Sequence, residues 1–319
     1  MTTDIPHASD AISTELYTKG FILGSISSVG YSAANGFLRS VDHCDAVWVS
    51  CVKAMPTCAI MIPWLIIRYC NGHRKMPSLK AIAALSFVAV VTHLFGNVGF
   101  QWSLNKIGIG IAVPLCLGMA IISGAVIDGL FMDAKPSGRT IVSMCFLIVS
   151  VIVLSLGGET AFEALKNEIT VGNVSRSLLG WGIGSVVVAG IVYGSFGAVI
   201  KTAGRRGISQ PMLMLIISTV GILFLSALSY QQGVFNAPEN LGVGNICLML
   251  LAGLCNTIAF VALVAALQLL PVTNVNLFNA SQAAFGAITG VLIFAEPASP
   301  WMIAGILLTV AGLVIMKRK

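Results

Sequence analysis

The stretch NLFNASQAAFGAITGVLIFAEP, Asn276 to Pro297, opens polar and closes apolar. Asn276, Asn279, Ser281 and Gln282 crowd its first two turns, and Gly286 and Gly290 follow on an apolar run that Glu296 ends. Such a run has the length and character of a membrane helix, which needs about twenty apolar residues to cross a bilayer. Polar side chains inside a span usually face a bundle interior or a wet cavity. Asn279, Gln282, Gly286 and Gly290 stand at i, i+3, i+7 and i+11, one face of a helix, and Asn276 extends that face by a turn. Two readings of the amides follow: a cavity wall, or hydrogen bonds that join helices. Four amides (Asn274, Asn276, Asn279, Gln282) in nine positions exceed what joining needs and favour the wall. The Gly286-x-x-x-Gly290 end suits close approach of a neighbouring helix.

The rest of the chain fits that environment. Of 319 residues, 57% are hydrophobic and 9% charged, against about 25% charged in soluble domains. The net charge of +6 is not gathered on one face, which argues against nucleic acid as a partner. Residues 1–18 are polar and read as a cytoplasmic tail rather than a cleaved signal. Eight cysteines include no C-x-x-C pair. Cys44, Cys51 and Cys58 recur every seven residues, a packing face more readily than a metal site, because no His or carboxylate shares it. No metal or other cofactor is expected.

A twenty-residue window gives ten spans, near 20–38, 46–67, 80–104, 109–131, 140–157, 179–200, 210–230, 245–269, 272–294 and 300–316. Helix is the form open to such runs, since lipid satisfies no backbone group. The third and fourth, and the eighth and ninth, are split at Lys106–Gly108 and Leu270–Pro271, since an unbroken helix would be nearly twice too long. With the N-terminus inside, Lys19, Arg68, Arg74, Lys75, Lys80, Lys135, Arg139, Lys201, Arg205, Arg206, Lys317, Arg318 and Lys319 lie on the cytoplasmic side. Arg39, Lys106, Lys166 and Arg176 lie outside, and Lys53 falls within a span. Cytoplasmic loops are rich in Lys and Arg, so the count supports ten spans with both termini inside; the membrane expected is the plasma membrane.

A polar linker, 158–177, divides these spans into units 19–157 and 178–316, with a basic C-terminus at 317–319. The units resemble each other. YSAANGFLR (Tyr31–Arg39) matches YGSFGAVIK (Tyr193–Lys201) at an offset of 162, and LFMDAKPSGRTIVS (Leu130–Ser143) matches LIFAEPASPWMIAG (Leu292–Gly305) at nearly the same offset. An odd number of spans per unit makes the repeats inverted, a recurring transporter architecture.

The chain resembles the drug/metabolite transporter superfamily in its EamA-like branch, over about residues 19–316. Each half carries an acidic turn, FMDAKPSG and FAEPASP, then a short final helix, IVSMCFLIVSVIVLSLGG and MIAGILLTVAGLVIM. Lys53, in WVSCVKAMP, stands where members often carry Arg. The first half departs more, with Asp133 for the usual Glu and Ser143 and Ser150 where Gly is common. The resemblance implies an all-α carrier of ten helices in two inverted five-helix repeats. Its cavity would be lined by the first, third, fourth, sixth, eighth and ninth helices. Many relatives export amino acids or other metabolites.

Further polar residues join the cavity candidates. Tyr31 and Asn35 are i, i+4 on the first span, Asn97 and Gln101 on the third; Tyr193 is the repeat mate of Tyr31, and Asn256 sits on the eighth. A charge in a span costs about 2.5 kcal/mol or more on insertion scales. Lys53 either attracts an anionic group such as a carboxylate or snorkels to the surface. Asp128 either carries a coupling proton or pairs with Arg139 or Lys135, and His93 is a second protonation candidate. Trp102 is a cavity wall or an interface anchor.

No H-E-x-x-H motif, no second deep Asp beside Asp128 and no loop long enough for a nucleotide domain argue against an enzyme. No ring of like charges or filter repeat marks a channel. The expectation is a secondary carrier for a small molecule, energised by protons or a counter-substrate or not at all, with an embedded channel, sensor or scaffold as the alternative.

Overall fold

The computed structural model describes residues 8–41, 43–72, 76–107, 109–131, 136–156, 176–234, 241–285, 288 and 299–317, and among these there is no strand. The helices are α1 (Ala8–Arg39), α2 (Ala46–Cys70), α3 (Leu79–Val91, continuing through a π-helical Thr92–Val98 into Gly99–Ile107), α4 (Ile109–Phe131), α5 (Gly138–Leu156), α6 (Arg176–Arg205), α7 (Gln210–Gln231), α8 (Val243–Leu269), α9 (Val272–Ala280) and α10 (Pro300–Lys317).

Local chemistry sets the boundaries. Asp45 opens α2, its carboxylate accepting from the N–H groups of Val47 and Trp48, and Ser78 opens α3 by accepting from Ala81 N–H. Gly72 and Gly207 take the left-handed conformation (φ 87° and 79°) in the turns after α2 and α6. Leu270 is extended (φ −120°, ψ 159°), as the residue before a proline tends to be. Pro271 then starts α9, so one apolar run becomes two helices.

Ala46–Cys70, Leu79–Ser103, Gly180–Arg205, Gln210–Gln231 and Val243–Leu269 are long and apolar enough to cross a membrane, and Leu115–Phe131, Gly138–Leu154 and Pro300–Ile315 are shorter apolar helices. The chain is an integral membrane protein by this pattern. Bulky apolar side chains such as Ile66, Phe87, Val126, Ile152, Leu223 and Leu307 are exposed on its outside, the surface a bilayer covers. Although long enough, α1 is less apolar: Ser25, Ser27, Ser28, Ser32 and Asn35 dilute it.

Helices α1 and α8, α2 and α7, α4 and α6, and α5 and α10 pack most extensively; α3 lies on α6 and α7, and α9 on α4 and α1. At the α4–α6 seam a Cβ on Gly190 would stand 2.5 Å from the Cys116 carbonyl oxygen, so only glycine allows that approach. In the α5–α10 seam Ser143 donates to Gly312 O (2.7 Å) and Ser150 to Gly305 O (2.6 Å). Both serines are thus hydrogen-bonded to glycines of the facing helix. Cys51 and Cys58 face α7, 3.2 Å from the hydroxyls of Ser226 and Ser218. One large core fills the end of the bundle where α6 and α8 finish, built on Ile200, Leu213, Leu267, Leu270 and Val272.

Within the stretch read as a tail, α1 begins at Ala8 and Tyr17 packs on that core. Two expectations need correction. The ninth span is not one helix: α9 stops at Ala280, and the Ser281 hydroxyl turns back onto Phe278 O (2.6 Å) before helix resumes at 282–285. The third span is not uniformly α-helical, since Thr92–Val98 is a π-turn. Gly286, Gly290, Asp133, Lys135 and the linker 158–175 lie outside the described residues.

Candidate substrate cavity

The π-turn of α3 and the break after α9 flank one cavity of about 220 Å³ in the middle of the bundle. Tyr31, Asn35, Lys53, Asn97, Gln101, Tyr193, Asn256, Asn276, Asn279 and Gln282 all line it, and so does His93. Asp128 does not. The second and seventh helices also contribute, through Ser50, Lys53 and Thr57 and through Ile217 and Ser218, which the expected set of lining helices omitted.

The polar wall is a directed network centred on Asn97. Its side-chain oxygen accepts from the Tyr193 hydroxyl (3.0 Å) and faces the Lys53 ammonium at 3.5 Å. Lysine only donates, so the amide orientation is fixed. The Asn97 N–H then donates to His93 Nδ1 (3.1 Å), which leaves the proton of a neutral imidazole on Nε2, 3.3 Å from the Ile217 carbonyl. The chain of donors ends on a backbone acceptor, with His93 held as a satisfied interior residue. An α-helical turn widened to π spacing carries both His93 and Asn97; such turns are frequent at functional sites.

On the facing wall Asn276 donates to Ala120 O of α4 (2.9 Å), Asn279 accepts from Ser27 (3.3 Å), and Asn35 approaches the Gln282 oxygen at 3.5 Å. Here the amides both join helices and border the cavity, so the two readings of this segment are not exclusive. Phe100, Phe196 and Phe260 add apolar wall. Sequence reasoning missed them because an aromatic in a span carries no sign of which way it faces. Trp102 is half-buried and outside the lining.

Asp128, fully buried, lies at the end of α4 and closes the α8–α9 corner. Its carboxylate accepts from the N–H groups of Val272 (3.2 Å) and Thr273 (2.5 Å) and from the Thr273 hydroxyl (2.6 Å). Across the same corner Lys201 donates to Leu270 O (2.6 Å). An acid thus sits at the positive N-terminus of α9 and a base at the negative C-terminus of α8.

Residues 180–318 match the EamA-like transporter family. This EamA-like half, which contributes Tyr193, Asn256, Asn276, Asn279 and Gln282 to the cavity, is consistent with the drug/metabolite transporter superfamily and a membrane transporter of that kind. No curated protein matches the chain. Twenty-eight chains of solved structures do. One, described only as a crystal structure of protein, is similar with TM-score 0.72 and 12% identity over 94% of this chain and 96% of its own. At that identity the likeness shows the fold alone.

Proposed function

We propose that the protein is a secondary, alternating-access carrier of ten transmembrane helices that moves a small organic metabolite through the central cavity. The observation that carries this reading is the convergence of polar side chains from seven helices on one space inside an otherwise apolar bundle. Lipid gives such groups no partner, and their gathering in a single place suits a solute better than it suits helix packing.

The packing pattern supports two related halves. Exchanging each helix with the one five places on maps α2–α7, α4–α9 and α5–α10 onto themselves and turns α1–α8 into α6–α3. With five spans per half the repeats are inverted, and such halves can rock so that one site opens first to one side and then to the other. Leu263 and Leu267 of the large core also line the cavity, and apolar packing at one end suits a carrier better than an open channel. Excess Lys and Arg at that end favours a cytoplasmic assignment, with the plasma membrane as location. The resemblance favours export, with amino acids and related compounds as the first class to examine.

The test is an untargeted comparison of metabolites inside and outside cells with and without the protein, repeated with Asn279→Leu and Gln282→Leu. The compounds that shift with the protein should cease to shift in either variant while the folded amount in the membrane is unchanged. Variants that lose thermal stability but move each compound normally per folded molecule would assign these amides to helix joining alone.

A further inference from the structure

The cavity's charge is one-sided. Among the described residues its lining includes Lys53 and no Asp or Glu. Asp45, the acidic residue that starts the same helix, is engaged at the N-terminus of α2 by Val47 and Trp48, and Asp128 is engaged at α9. The Lys53 contact with Asn97 is long, at 3.5 Å, beyond the usual 2.7–3.2 Å for such a bond. Asn97 already accepts a shorter bond from Tyr193. The ammonium therefore has donor capacity to spare, facing a space walled by Tyr31, Phe100, Tyr193 and Phe196. An intramembrane ion that is short of partners is costly unless a counter-charge arrives.

We propose that this cavity takes an organic monoanion: a carboxylate seated on Lys53, with an apolar or aromatic body against the Phe and Tyr wall. The inference rests on the carrier reading and narrows its substrate. One lysine, a single point charge, matches one negative charge. A dianionic phosphate would leave a charge uncompensated, and its usual partners are forked arginines or clusters of bases. A zwitterionic amino acid would bring an ammonium into a lining whose described residues include no carboxylate to meet it. Amino acids are thus disfavoured against the corresponding acids that lack the amine.

Four probes of similar shape separate these cases: 3-phenylpropanoate, its neutral amide, phenylalanine and 2-phenylethylamine. Binding is read as a shift in thermal unfolding of the purified full-length protein in nanodiscs, and flux as uptake into proteoliposomes. The acid should bind at least roughly tenfold more tightly than each of the other three, a difference that one well-placed charge contact supplies. Lys53→Met should erase the preference for acid over amide, and Lys53→Arg should keep it. Because a buried cation without a full partner contributes little to folding, Lys53→Met should unfold no earlier than the parent, so lost binding is not lost structure. Equal binding of acid and amide, tighter binding of phenylalanine or the amine, or no binding of the acid overturns the inference and leaves the carrier reading to the metabolite comparison. Binding of the acid with no flux of any probe keeps the anion site and overturns the carrier reading instead.

Discussion

The carboxylate of Asp128 holds Thr273 by two hydrogen bonds, 2.5 Å to its backbone N–H and 2.6 Å to its hydroxyl. A side chain from one half of the chain thereby caps the first turn of a helix in the other. Replacing a capping carboxylate costs about 0.5–2 kcal/mol, so Asp128→Ala should lower the midpoint of thermal unfolding, with Asp128→Asn milder because an amide oxygen still caps. Transport against a gradient and exchange at equal concentrations should fall together. Loss of concentrative uptake with exchange and stability intact would make Asp128 the proton-coupling group instead.

A second expectation concerns the α5–α10 seam. Interhelical hydrogen bonds in membranes average about 0.6 kcal/mol and reach about 1.7, so Ser143→Ala and Ser150→Ala should each be mildly destabilising. Gly305→Leu should be far worse, because even a Cβ there would stand 2.5 Å from Leu154 Cγ. Thermal unfolding in detergent measures all three; a Gly305→Leu variant as stable as the parent would show that the seam repacks.

The cavity was legible in the sequence to the extent that polar residues in spans advertise themselves. Asn97, Gln101, Asn256, Asn276, Asn279 and Gln282 stand out against lipid, and all of them border one space, while the fourth amide of the ninth span, Asn274, does not line it. Apolar wall residues such as Phe196 and Phe260 gave no such signal, because every face of a membrane helix is greasy. The π-turn at Thr92–Val98 was equally silent: one extra residue in a turn leaves the composition unchanged. Asp128 was legible as a deep carboxylate, but its partners were not: three donors at a helix start bind it, and which helix end lies beside it depends on tertiary packing. The start of α1 at Ala8 was hidden by the polar composition of the first residues.

The Tyr193 hydroxyl is the shorter of the two donors to Asn97. Tyr193→Phe keeps the ring against Gly96 and removes one hydrogen bond, worth about 0.5–1.5 kcal/mol. Stability should change little while kcat/KM for the transported compound falls several-fold, since Asn97 is then free to turn away from Lys53. Unchanged kinetics would mean that the network only braces the helices.

Topology offers a further check. On a cysteine-free background, a cysteine at Arg206 and one at Lys166 should react with an impermeant thiol reagent from opposite sides of the membrane, Arg206 from the cytoplasm. Reaction of both from the same side would break the alternation on which the inverted halves depend.

The most direct test of the central claim is the reactivity of a single cysteine at Asn279, in the cavity wall, toward an impermeant thiol reagent added to one side of sealed vesicles and then to the other. A cavity that opens alternately predicts labelling from both sides. Labelling confined to one side, under every condition that supports flux, would contradict it.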